Sequence, residues 1–107
     1  MTAAALAWHD GQWGDSHNLH LPLSDRGLQL ADGLFETILI LNGKAQLLPA
    51  HLQRWHQSAT LLGMATPPDQ DALDPLINDA IERVNLNHSN CAGALRLNWS
   101  RGSVAGR

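Results

Sequence analysis

The chain has one cysteine, Cys91, and one lysine, Lys44. A lone cysteine excludes a disulfide framework and a cysteine-based zinc site. A reducing, cytoplasmic setting is the default that follows. No run of basic residues occurs and the formal net charge is −3, so the electrostatic footprint of a nucleic-acid binder is absent. No apolar run has the length of a membrane span. Ala3 to Trp8 is apolar but short and lacks a positive leader, so it does not read as a signal peptide. Without such a signal, the Asn98-Trp99-Ser100 sequon carries no meaning. There is no internal repeat, low-complexity tract, interdomain linker, glycine-rich phosphate loop or Ser-His-Asp pattern. What remains is a chain of 107 residues, 44% hydrophobic and 16% charged, which is one globular domain by size and composition.

Turn chemistry and periodicity supply the elements. Asp10-Gly11 between Leu6–Trp8 and Gln12-Trp13 predicts a small hairpin. Residues 18–23 alternate weakly and contain Pro22, which suits an edge strand or an entry loop. Ser24 is expected to cap one short turn, with Asp25 near its start and an ion pair to Arg26. Residues 34–41 form the best strand; an almost continuous apolar run predicts cover on both faces. Asn42-Gly43 turns the chain into a strand over 45–48, and Pro49 opens a helix that ends at Gly63. Leu48, Leu52, Trp55, Ala59 and Leu62 are its core stripe, and His51, Arg54 and Ser58 lie on an adjacent polar stripe. A second helix follows the break at Thr66-Pro67-Pro68. Its cap is Asp71 or Asp74, Pro75 sits in its first turn, and Leu73, Leu76, Ile77, Ala80, Ile81 and Val84 form its apolar face. Residues 94–99 alternate as a last strand. Strands, two helices and a further strand make a small α+β layer.

The order of Ser24-Asp-Arg-Gly27, Asp32-Gly-Leu-Phe-Glu-Thr37, Asn42-Gly-Lys44 and His51-Leu-Gln-Arg54 resembles the N-terminal part of class IV aminotransferases, the fold-type IV enzymes that use pyridoxal 5′-phosphate (PLP). The likeness runs from Gly11 to Arg107 and is strongest from Ser24 to Gly63. It implies the family's small N-terminal domain across 1–107, an antiparallel-rich sheet with two helices, without the large C-terminal domain. It also implies that Arg54 binds the cofactor phosphate, chemistry that suits the guanidinium fork. Phe35, Glu36 and Thr37 match a strand bordering the family's active site, and Phe35 and Thr37 are expected on the substrate side. His51 is expected to be structural, and Trp55, where the family usually has leucine, to pack.

Trp99-Ser-Arg-Gly-Ser-Val-Ala-Gly-Arg107 resembles the Ser-Arg-Gly…Gly-Arg-Gly stretch of aminodeoxychorismate lyases, which convert 4-amino-4-deoxychorismate to 4-aminobenzoate and pyruvate in folate synthesis. Arg101 and Arg107 are then expected to contact the two carboxylates of that substrate. D-amino-acid transaminases have a similar Arg-Gly turn, so a D-amino-acid or branched-chain aminotransferase stays open, as does a stand-alone, non-catalytic binding domain. The family's enzymes are homodimers that bind a small amino substrate and hold the cofactor on a lysine of the large domain. Lys44 falls in a hairpin turn, so no catalytic residue is expected in this chain, and the pattern of its histidines predicts no metal site. The ending at Arg107 is expected to reflect trypsin-like cleavage or a designed boundary. Incubating this chain with PLP and reducing with borohydride should give at most slow labelling of Lys44 by mass; stoichiometric labelling of one pocketed lysine would overturn that reading.

Overall fold

The computed structural model describes residues 5–103. Strands β1 (Leu6–His9) and β2 (Gln12–Asp15) form an antiparallel hairpin with Trp8 opposite Trp13. Asp10 and Gly11 both have positive φ, 50° and 86°, the geometry that a two-residue turn between twisted strands demands. Residues 18–23 form no strand; they are an entry loop. Helix α1 (Arg26–Leu30) follows. Its cap is Asp25, not Ser24: the Asp25 carboxylate accepts from the Leu28 N–H at 3.0 Å, while Ser24 Oγ meets Ser103 Oγ at 2.8 Å. Arg26 pairs with Asp32 rather than Asp25, because Asp25 is occupied by the helix end.

Strand β3 (Gly33–Leu41) is the centre of a three-stranded antiparallel sheet, flanked by β4 (Lys44–Ala45) and β5 (Ala92–Ser100). Asn42 and Gly43 repeat the positive-φ pair of the first hairpin, at 52° and 80°. Strand β4 is shorter than the sequence predicts. Leu47 turns left-handed at φ 55°, and Leu48 is already the first residue of helix α2 (Leu48–Leu61). Pro49, in the first turn, lacks an N–H that would be unpaired there anyway.

Helix α3 (Gln70–Arg83) starts earlier than expected. Its cap is Asp69, whose carboxylate accepts from the Ala72 N–H at 2.9 Å, so Asp71 lies in the first turn and Pro75 lies inside the helix. Both long helices end in the same way. Gly63 and Asn85 take positive φ, and the N–H groups of Met64 and Leu86 reach back to the carbonyls of Ala59 and Ile81 at 2.9 Å. This double closure satisfies carbonyls that the helix end would otherwise orphan.

Both helices pack on one face of the sheet. Ile38, Ile40, Leu48, Leu52, Trp55, Leu73, Ile77 and Ile81 form the buried core, with Leu34, Leu95, Leu97 and Trp99 packed against it. The predicted stripes hold, except that Leu62 is exposed beyond the last turn of α2. The other face of β3 is not covered: Phe35 is 57% and Leu39 52% exposed. The expectation of two-sided cover thus fails within this chain, whose helices supply one layer only. Ile38 is fully buried at the centre of the covered face, so Ile38→Ala in the full-length protein should cost about 2–5 kcal/mol. Asp25→Ala should cost about 1–3 kcal/mol, because it removes a helix cap and a buried hydrogen-bond acceptor together. Denaturant unfolding checks both; losses below about 0.5 kcal/mol would contradict the packing and the cap respectively.

Candidate functional site

Alternation along β3 sends neighbouring motif residues to opposite sides of the sheet. Glu36 faces the helices and is buried, 7% exposed. Its partners come from the first two turns of α2. Arg54 Nε donates to Glu36 Oε2 at 2.9 Å and Arg54 Nη2 to Oε1 at 2.6 Å. His51 Nδ1 lies 2.7 Å from the same Oε1. The i, i+3 spacing of His51 and Arg54 puts both on the helix face that meets β3. A buried carboxylate without such partners would be costly; with them it is ionised and fully bonded. The Arg54 fork holds the Glu36 carboxyl below its ordinary 4.5 against the opposing effect of burial, with the His51 hydrogen bond helping.

Arg54 is not consumed by this contact. Its side chain is 67% exposed, and Nη1 has no partner among the described residues. An oxyanion approaching from solvent meets Nη1 and the outward N–H of Nη2, on a guanidinium whose orientation is already set. That donor set suits a phosphate.

The opposite face of the sheet carries Phe35 and Thr37. Across the ladder, Asn98 stands opposite Phe35 and Arg96 opposite Thr37. The Arg96 guanidinium lies 4.1 Å from the centroid of the Phe35 ring, and Arg96 Nε donates to Asn98 Oδ1 at 2.9 Å. Arg96 was not singled out from the sequence. The signal was there: β5 alternates, and a charged residue on the face shared with Phe35 and Thr37 follows from its register. Arg54 and the pair Phe35–Thr37 therefore lie on different sides of β3. A groove of about 480 Å³ elsewhere is lined by Trp8, Pro68, Leu73 and Pro75 among others, and by none of these residues.

Arg101 sits just past β5. Its Nε donates to Asp32 Oδ2 at 2.7 Å, and Nη2 and Nη1 donate to the carbonyls of Leu62 and Gly63 at 2.8 and 3.3 Å. It thereby ties the strand end to the C-terminus of α2, where a cation is favoured. Arg26 Nε also donates to Asp32 Oδ2, at 2.9 Å, and the two arginines, Arg101 foremost, hold the Asp32 carboxyl below its ordinary 3.8. The Ser-Arg-Gly turn and the Ser-Asp-Arg-Gly turn dock on one another. Ser100 Oγ donates to Asp25 Oδ1 at 2.8 Å and accepts from the N–H groups of Gly27 and Gly102 at 3.2 and 2.9 Å. A Cβ at Gly27 would lie 2.9 Å from both Asp25 Oδ2 and Ser100 Oγ, so only glycine fits the junction. Lys44 is exposed at the opposite end of β3, paired in register with Leu41. Arg107 lies outside the described residues. Among the described residues no group of three or more His, Cys, Asp or Glu side chains is placed to hold a metal, and no helix is long and apolar enough to cross a membrane.

The lowered carboxyl values fix a pH dependence. A carboxylate whose value is lower folded than unfolded adds stability above its unfolded value and loses it as pH falls through the folded one. Glu36 should therefore contribute fully above its ordinary 4.5, Asp32 above its ordinary 3.8, and both should lose their contribution at more acid pH. Glu36→Gln and Asp32→Asn should each flatten the acid limb of a stability-against-pH curve. An unchanged acid limb in Glu36→Gln would contradict the ion pair of Glu36 with Arg54.

The family model for amino-transferase class IV matches residues 33–107. The bifunctional aminodeoxychorismate lyase / D-amino acid transaminase of Mycobacterium tuberculosis is 41% identical over 75 residues, covering 70% of this chain and 25% of that protein. A hypothetical aminotransferase from Mycobacterium tuberculosis, solved in a PLP-bound form, superposes with a TM-score of 0.78 at 36% identity over 91% of this chain and 34% of that one. A fold IV-transaminase from Curtobacterium pusillum gives 0.76 at 26% identity, over 89% and 32%. The chain thus spans about a quarter of the length of the curated relative and a third of the solved ones. Its α+β architecture is that of the fold-type IV enzymes, and by the family match and the 41% identity the chain belongs to the class IV aminotransferases.

Proposed function

We propose that residues 1–107 are the small N-terminal domain of a PLP-dependent enzyme, a homodimer whose large C-terminal domain carries the lysine that holds the cofactor. The leading activity is the conversion of 4-amino-4-deoxychorismate to 4-aminobenzoate and pyruvate. The observation that carries the reading is Arg54: a guanidinium pinned on one edge by Glu36, itself held by His51, and open on the other, at the position where the motif puts a phosphate ligand. When bound, PLP supplies an electron sink for the substrate carbon next to nitrogen. The residues of this chain bind and orient. Arg54 holds the phosphate through Nη1 and the outward N–H of Nη2. Phe35 and Thr37 border the substrate side on the open face of β3. Arg96, on the same face, offers a carboxylate its Nη1 and Nη2 groups while Nε is kept by Asn98. Arg101 stands at the end of the same strand; its three bonds make it an anchor of that wall, and it meets a substrate carboxylate with the N–H groups these leave over. Arg107 is the second arginine of this ending.

A second reading, D-amino-acid transamination, is favoured by one observation: the 41% identical relative is named for both activities. The binding surface described here serves either, since both substrates present an amino group and a carboxylate. The full-length protein separates them by release of 4-aminobenzoate against amino transfer from D-alanine to a keto acid. Activity in neither assay, with no PLP bound, would favour the stand-alone binding domain.

In the full-length protein, Arg54→Ala should weaken PLP about 10- to 100-fold, as expected for loss of a charge-assisted hydrogen bond, with the fold retained. Equilibrium titration of the apoprotein followed by absorbance checks it. Unchanged affinity would show that Arg54 serves only Glu36.

A further inference from the structure

Arg26, Arg54, Arg83 and Arg101 each bond to a carboxylate. Arg96 does not. Among the described residues its partners are the Phe35 ring, with the guanidinium carbon 4.1 Å from the centroid, and Asn98 Oδ1, which accepts from Nε at 2.9 Å. Both partners are neutral. The sheet register brings them together. Phe35 and Asn98 stand opposite one another on the β3–β5 ladder, and Arg96 precedes Asn98 by two residues on the same face, opposite Thr37. A long side chain at that place reaches its diagonal neighbour. The other residues of this face, Thr37, Leu39, Leu41, Ala92 and Ala94, carry no charge.

An exposed arginine ordinarily samples many rotamers, and fixing it costs entropy. An ion pair would fix it and cancel its charge at once. A ring face and an amide oxygen fix it and leave the charge whole. We propose that Phe35 and Asn98 are positioning residues: together they hold Arg96 in place, still cationic and with Nη1 and Nη2 open, for the carboxylate of the substrate. The inference rests on the reading of this face as the substrate side. It gives Phe35 a role through Arg96, as the platform under a guanidinium, rather than as an apolar wall alone. The ligand class follows from the donors: one carboxylate, met by the two Nη groups as a fork.

The test uses the full-length protein with PLP and the substrate its assay identifies, 4-amino-4-deoxychorismate or D-alanine. Arg96→Ala should raise KM about 10- to 100-fold. Phe35→Leu, which keeps apolar bulk without a ring face, and Asn98→Ala should each raise it about 2- to 5-fold with kcat little changed. Phe35→Tyr should restore the wild-type KM. In an Arg96→Ala background neither Phe35→Leu nor Asn98→Ala should add to the loss. Asn98→Asp separates charge from geometry: aspartate keeps the acceptor for Nε but pairs with the cation, so KM should rise as in Asn98→Ala. Circular dichroism and PLP retention check folding, and Asn98→Asp carries the test if Phe35→Leu fails to fold. Losses that add in the double variants would show Phe35 and Asn98 acting independently of Arg96; they would overturn the positioning and leave Arg96 as the carboxylate ligand. An unchanged KM in Asn98→Asp would overturn it likewise. An unchanged KM in Arg96→Ala, or activity in neither assay, would overturn the reading of the face and the inference with it.

Discussion

The buried Glu36 carboxylate is the constraint around which β3 and α2 are arranged. A negative charge on the helix-facing side of a central strand is tolerated only if its oxygens are bonded. The bonds come from two residues one turn apart on a single helix, His51 and Arg54, which fixes the rotation of α2 against the sheet. That same rotation turns Leu48, Leu52, Trp55 and Ala59 onto Ile38 and Ile40. Packing and polar satisfaction thus demand one helix orientation, and the outward edge of Arg54 is its by-product. Hydrophobic burial alone would allow the helix to slide or roll by small amounts; a bidentate ion pair with a third donor does not.

A second hub closes the end of the sheet where β3 begins and β5 ends. Asp25 caps α1 and accepts from Ser100, while Ser100 accepts from Gly27 and Gly102. Asp32, one step before β3, collects Arg26 and Arg101. Two segments some seventy residues apart in the chain are therefore read as one structural unit. The acids, the serine and the glycine of these turns each answer a specific hydrogen bond or a specific lack of space. Arg101 belongs to this unit first, and its link to the Leu62 carbonyl carries the end of α2 into it.

Local chemistry was legible in the sequence where one residue type has one reason to be present. Both two-residue turns, Asp10-Gly11 and Asn42-Gly43, have the positive φ that their dipeptides predict, and Gly63 ends α2 as glycine should. The core stripes of both helices follow from period, apart from Leu62 beyond the last turn of α2. Errors came where several polar residues competed for one task. Ser24, Asp71 and Asp74 are all plausible caps by type, but the structure uses Asp25 and Asp69. Arg26 had an acid beside it and chose Asp32 instead, since Asp25 was already bonded. Cover on both faces of β3 was inferred from apolar character, and composition does not say which chain supplies the cover. Within the candidate site, Arg54 was legible through its motif. Glu36 as its anchor and Arg96 as the partner of Phe35 were not, because both depend on register and helix rotation, which only the tertiary structure sets.

The alternation of β3 gives this small domain two unlike surfaces. One side is closed, held by the bonds to the buried Glu36 and by an apolar core. The other shows Phe35, Thr37 and Leu39 beside Arg96 and Asn98, apolar and polar groups mixed on one face of the sheet. Arg54 stands at the boundary of the first side, with its free edge in solvent. A ligand that engaged both Arg54 and the open face would have to reach around the strand, and the walls of such a site would have to come from other residues than these. The rigid sheet, pinned at one end by Asp25 and Asp32 and along its length by Glu36, is therefore suited to present residues to a site completed by another part of the protein, rather than to enclose one.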